Sequence, residues 1–171
     1  MTTTRNLLVL LSLLVTVAGC GPTKPARFYT LEAVATASGA PATKYAVSVG
    51  PVTIPPALDR PQLVVQVAPN RVEIDEFNRW AAPLADGIGA AVAGDLAVLL
   101  GTADVAVGSG GAFLPTHTVA LAVQRFASLP GKEVEVDVLW SVRRTSGGEP
   151  RAGRTTVHEP VQTPDVDAIA R

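Results

Sequence analysis

The sequence predicts a single α/β (α+β) domain, a mixed and mostly antiparallel sheet with few helices on one face. Three observations predict it. Glu133–Arg144 alternates: Val134, Val136, Val138, Trp140 and Val142 fall on one side, and Glu133, Glu135, Asp137 and Arg143 on the other, the period of a half-buried strand. Leu84, Ile88, Ala91, Val92, Leu96, Leu99 and Leu100 form one stripe at helical spacing. Between these segments, short runs rich in Val and Ile are divided by Pro, Gly and Asn, the punctuation of strands and turns.

The first element is not part of the fold. Arg5 and the α-amino group give a short positive region, and Leu7–Val17 is apolar except for Ser12 and Thr16. Those eleven residues are too few to cross a bilayer, which takes about 20 helical residues, and they fit the core of a signal peptide. The run ends in Val17-Ala18-Gly19-Cys20, an aliphatic residue, two small residues and a cysteine. Small residues admit a peptidase to the bond between Gly19 and Cys20, and the Cys20 thiol can carry a diacylglycerol. An ordinary secretory signal with a chance cysteine is the plain alternative. Cys20 is the chain's one cysteine, so an intrachain disulfide, a CxxC redox pair and a cysteine-rich metal site are all excluded. Gly21 stands where Asp would favour retention at the inner membrane, so the periplasmic face of the outer membrane is expected, with the inner membrane as the alternative. The expected division is a signal peptide over 1–19, an acylated N-terminus and short spacer over 20–26, and one domain over 27–171.

Residues 20–171 suffice for one domain with a real core, and a net charge of −1 argues against a nucleic-acid partner. Arg27–Val34 reads as a first strand and Ala35–Thr43 as a loop. Tyr45–Ile54 alternates around Val47 and Val49, with Pro51 marking a bend or an edge near its end. Pro55, Pro56 and Pro61 bracket the turn Ala57-Leu58-Asp59-Arg60. Gln62–Ala68 and Arg71–Ile74 read as a hairpin through Pro69-Asn70. Pro83 precedes the helix and Gly101 ends it; Gly87, Gly89 and Gly94 weaken it by roughly 1 kcal/mol each against Ala, unless they let it approach the sheet. Ala103–Val107, Thr118–Phe126, Glu133–Arg144 and Arg154–Val161 are further strands, the second and third joined as an antiparallel pair by Leu129-Pro130-Gly131. Pro164-Asp165 resembles a helix start, with Val166, Ile169 and Ala170 as its first apolar positions.

Chemistry is sparse. His117 and His158 are far apart in sequence and read as surface residues. Gly108-Ser109-Gly110-Gly111 lacks the strand-Ser-helix setting of a nucleophile. Asp75 and Glu76, neighbours on a strand, point apart and read as solvated charges, and Glu133, Glu135 and Asp137 read as the watered side of theirs. No catalytic residue, metal ligand or cofactor is assigned, and no enzyme activity is expected.

One resemblance covers nearly all of the mature chain. Val49-Gly-Pro-Val-Thr-Ile-Pro-Pro-Ala-Leu-Asp-Arg-Pro-Gln-Leu-Val65, then Asn70-Arg71, then Glu76-Phe77-Asn78-Arg79-Trp80-Ala81-Ala82-Pro83-Leu84, together with the lipobox and Arg27-Phe-Tyr-Thr-Leu31, resemble the ABC-type transport auxiliary lipoproteins, the PqiC-type membrane-integrity lipoproteins. The resemblance implies a fold like the N-terminal domain of TolB. It also implies a non-enzymatic periplasmic component of intermembrane lipid transport, tethered through palmitate-type chains on Cys20. The partners implied are an MCE-domain tunnel protein with its permease and ABC subunits, and a homo-oligomeric ring, with the edge of Tyr45–Ile54 as a contact. Relatives continue into a long amphipathic helix, so the C-terminal helix is expected to be truncated at Arg171. A lipid-carrying chaperone with its own cavity, and a lipoprotein regulating a cell-wall enzyme, are the alternatives. The partner-facing surface is placed at Leu58, Asp59, Arg60, Arg79 and Trp80. Stiff prolines leave little entropy to lose on binding, and Arg and Trp are enriched at hot spots. The competing reading makes Trp80 a core anchor and Asp59–Arg60 a local ion pair.

Overall fold

A computed structural model describes residues 24–39, 41–108, 113–129 and 131–161. Gly19, Cys20, the glycine loop beyond Gly108 and the helix start at Pro164 lie outside them. The elements are β1 (Arg27–Tyr29), β2 (Val47–Thr53), β3 (Gln62–Ala68), β4 (Arg71–Trp80), α1 (Leu84–Leu100), β5 (Val105–Val107), β6 (His117–Leu129), β7 (Glu133–Arg144) and β8 (Arg151–Pro160). They build one mixed sheet with α1 on one face, the predicted class.

The sheet branches at β6. One edge of β6 pairs antiparallel with β7 along nearly its whole length, and β7 pairs antiparallel with β8. Parallel to β6 run β2, against its first half, and β3, which meets it at Val65↔Ser128. The hairpin β3–β4 turns at Pro69-Asn70 as expected, with β1 parallel to β4 and β5 parallel to β2. Both readings of Pro51 hold. The register shifts between Val49 and Val52, and β5 covers β2 only as far as Val49. Tyr45–Ile54 is not otherwise an edge: Val47–Val49 is enclosed between β5 and β6, so its contribution to a ring contact is corrected.

The first strand is shorter than its sequence implies. After Tyr29 the chain leaves the sheet and crosses α1, where the amides of Val34 and Ala35 both donate to Asp95 Oδ1, at 2.8 and 2.7 Å. Two of the helix glycines have different neighbours, and the crossing explains one of them. Gly89 lies against Val52 and Val107 of the sheet, but a Cβ on Gly94 would stand 2.6 Å from the Ala33 Cβ. Gly94 therefore makes room for the N-terminal segment and not for the sheet. Gly101, at φ 61°, takes the left-handed cap and bonds back to the helix. Leu99 is 47% exposed and leaves the predicted stripe.

Three packed groups make up the core, the first two between sheet and helix. Val47, Val49 and Ala93 join Leu96, Leu100, Val119 and Leu121. Leu63, Trp80 and Leu84 join Tyr29, Leu58, Ile88 and Phe126. Val134 and Val161 close the far end. Full burial of each such side chain contributes about 1.5–3 kcal/mol.

Candidate docking surface

The five predicted interface residues meet at one corner. In the turn after β2, the Leu58 amide donates to Pro55 O at 2.9 Å and the Arg60 amide to Leu58 O at 2.8 Å. Pro61 O then accepts the Trp80 amide at 2.7 Å, which brings the turn against the end of β4. Trp80 itself is a core residue, 6% exposed. Its indole stands edge-on to Phe126 at 6.2 Å, and Leu58 packs on the same group. These two side chains support the corner from beneath; Asp59 is exposed and Arg60 and Arg79 are half-buried at its surface.

The charges there are unevenly satisfied. Arg79 Nε donates to the Glu76 carbonyl at 2.9 Å and its Nη2 lies 3.6 Å from Glu76 Oε2. Glu76 also accepts from Gln62 Nε2 at 3.2 Å. Asp59 and Arg60 do not form the ion pair considered from sequence, and Arg60 Nε is buried without a hydrogen-bond partner. An unmet buried donor is costly.

Two carboxylates read as solvated are structural instead. Between Gln62↔Arg79 and Leu63↔Asp75 the register of β4 jumps, so Glu76–Asn78 bulge from β3. Asp75 holds the bulge: Oδ1 accepts the amides of Phe77 and Asn78 at 2.9 and 3.0 Å, and Oδ2 accepts Asn78 Nδ2 at 2.6 Å. Tyr29 Oη donates to Asn78 Oδ1 at 3.0 Å and so ties β1 to the network. Burial pushes the Asp75 pKa up, but these bonds and the charge of Lys24 outweigh it, and the net is a lowering. Asp137 is 5% exposed, with Arg154 clamped across it; Arg154 Nε donates to Oδ1 at 2.8 Å and Nη2 to Oδ2. The Arg154 hydrogen bond, then its charge and Thr156, hold the Asp137 carboxyl below the ordinary range against the cost of burial.

His117 begins β6 and stacks edge-on with Tyr45 at 4.8 Å, whereas His158 lies near the end of β8, 3.3 Å from Glu133. The register β6–β7–β8 sets them at opposite ends of the sheet, so they do not form a metal pair with one another. Among the described residues no group of three or more His, Cys, Asp or Glu is placed to hold a metal ion, and no helix is long and apolar enough to cross a membrane.

The spaces in the molecule are of two kinds. Inside, between Trp80, Phe126, Leu63 and Ser128, a void of about 10 Å³ remains, room for one water. At the surface, an open cleft of about 660 Å³ has Leu96, Leu100, Val119 and Val142 among its lining and Arg144 and Arg151 beside them. A second open groove of about 610 Å³ runs over Pro51, Ala120, Ala122, Leu139 and Ala152.

A family model described as ABC-type transport auxiliary lipoprotein component matches residues 29–171. Among solved structures, the chain is similar to a Xanthomonas campestris protein described under the family model DUF330. Identity is 20%, with 85% of this chain and 84% of that chain covered and a TM-score of 0.71. It is also similar to an uncharacterized protein at 18% identity, with 86% and 88% covered and a TM-score of 0.69. At these identities the likeness shows a shared fold. None of the curated proteins matches the chain.

Proposed function

Because the chain belongs to the ABC-type transport auxiliary lipoprotein family, whose model spans residues 29–171, we propose that it is a non-enzymatic adaptor in an intermembrane lipid transport system. In this reading Cys20 carries the acyl chains, the folded part stands in the periplasm at the outer membrane, and an MCE-domain tunnel protein with its permease and ABC subunits is the partner. The role is upkeep of envelope integrity by docking.

The observation that carries the adaptor reading is the corner formed by Leu58–Arg60 and Arg79. It is stiffened by three prolines, backed by buried Trp80, and presents half-buried Arg60 and Arg79 at its surface. It is also close to the tether. β1 starts seven residues after Cys20, a reach of at most about 25 Å, and it pairs directly with Asn78, Arg79 and Trp80. In this reading the tether keeps the corner near the membrane.

The test is capture from detergent-solubilised membranes with the acylated protein as bait. The MCE-domain protein and its permease are expected with the native chain, and less of both with Arg60→Glu or Arg79→Glu. Equal recovery on an unrelated acylated lipoprotein would reject the adaptor reading. The lipid-carrier alternative has one observation in its favour, the 660 Å³ cleft with an apolar floor and two arginines, a size that holds a ligand. Stoichiometric phospholipid in an organic extract of the purified chain would favour it.

A further inference from the structure

Two phenylalanines at the N-terminal edge of the sheet are turned away from the core. Phe28 of β1 is 65% exposed and Phe77 of β4 is 37% exposed. Their direction follows from the register. Phe28 lies beside Arg79, and Tyr29 beside Trp80. Tyr29 and Trp80 join the core group that includes Leu84 and Ile88 of α1. Phe28 and Arg79, one residue back along each strand, therefore point to the other face. Asn78 is buried, which sends Phe77 the same way. β4 exposes two further apolar side chains, Val72 and Ile74.

A cation completes the patch. Lys24 Nζ stands over the Phe77 ring, 5.6 Å from its centroid. The acidic groups nearest to it in β4 are engaged within the chain. Asp75 accepts the amides of Phe77 and Asn78 and the Asn78 side chain, and Glu76 lies between Arg79 and Gln62. Exposed aromatic area with a lysine at its rim suits the interface of a bilayer. The rings enter the boundary between headgroups and acyl chains, and the long lysine stem leaves its ammonium among the phosphates. An exposed apolar patch marks a contact, and position along the chain selects the bilayer as the occupant. Lys24 follows Cys20 by four residues and Phe28 by eight, reaches of at most about 14 and 29 Å.

We propose that Phe28, Phe77 and Lys24 make a second, reversible contact with the phospholipid surface that carries the tether, and that this contact sets which way the domain faces. The contact rests on the reading in which Cys20 is acylated and goes beyond it. Acyl chains on a short spacer hold a domain near a bilayer without choosing its orientation. A patch seated in the interface chooses it, and the anionic phospholipids of the surface attract the lysine.

The test reads depth. The full acylated chain with Phe28→Trp is reconstituted in vesicles of phosphatidylethanolamine and phosphatidylglycerol carrying doxyl-labelled acyl chains, and quenching of its fluorescence is measured. The unmutated chain supplies the background of Trp80 and Trp140. Leu99→Trp, near the end of α1, is the control for an exposed indole held by the tether alone. The indole introduced at position 28 is expected to be quenched about 5–10 Å into the headgroup–acyl boundary, and the one at position 99 is not. Adding Lys24→Ala should lower the ratio of seated to lifted domains about fivefold, and Phe77→Ser should also lower it. Quenching at position 28 no greater than at position 99, in a chain whose mass shows an acylated Cys20, would overturn the contact and leave the tether standing. Quenching that Lys24→Ala and Phe77→Ser both leave unchanged would overturn it too. An unmodified Cys20 would overturn contact and tether together.

Discussion

Trp80 shows how one side chain can be read two ways from sequence and one way in three dimensions. A tryptophan beside arginine fits a hot spot, yet its burial and its edge-on contact with Phe126 place the indole in the core. Trp80→Ala is therefore expected to cost about 3–5 kcal/mol, measured by denaturant unfolding, whereas Arg60→Glu should leave the midpoint nearly unchanged. A Trp80→Ala chain as stable as the native one would contradict the packing. The acid limb of stability has a similar residue-level origin. Asp75 and Asp137 both titrate below their ordinary value of 3.8 in the fold. What they contribute is thus present above that value and is lost as the pH falls through their folded pKa values. Unfolding curves between about pH 5 and 2 should show this fall, and Asp137→Asn should flatten it. Neither carboxylate's role was legible. Asp137 sits on the charged side of an alternating strand, and its partner Arg154 lies across a hairpin whose register the six-residue turn 145–150 does not specify.

At the scale of elements, local signals were decisive where the partner is near in sequence. The Pro69-Asn70 hairpin, the β6–β7 pair and the Gly101 cap follow from turn chemistry, and the structure has all three. The parallel pairs β1–β4, β2–β6 and β3–β6 have no such signal, because no turn joins their strands and only the whole sheet brings them together. The short β1 has the same cause. Its expected continuation, Thr30–Val34, leaves the sheet for the outer side of α1, where Asp95 collects two amides that nothing in a periodicity announces. Gly94 tests this account. In a free helix Gly→Ala stabilises by about 1 kcal/mol, but here the new methyl meets Ala33. Gly94→Ala is expected to bring no gain in stability and to speed hydrogen exchange at Val34 and Ala35. A gain of about 1 kcal/mol with unchanged protection would show that the segment does not rest on the helix.

At the scale of the molecule, the family and the fold class were legible because long stretches around Val49–Val65 and Glu76–Leu84 carry specific residues, and the family model covers most of the chain. The arrangement that supports function was not. Only the branched sheet shows that the Leu58–Arg60 turn, the end of β4 and the N-terminal strand β1 share one corner. The central claim is that this corner and the domain behind it are held at a membrane by Cys20. It is tested most directly by mass spectrometry of the mature N-terminus from a membrane fraction. The expected peptide begins at Cys20 and carries diacylglyceryl and acyl mass, and Cys20→Ala is expected to leave the chain uncleaved or free in the periplasm. A mature chain with an unmodified Cys20, or one cut at another bond, would contradict the account.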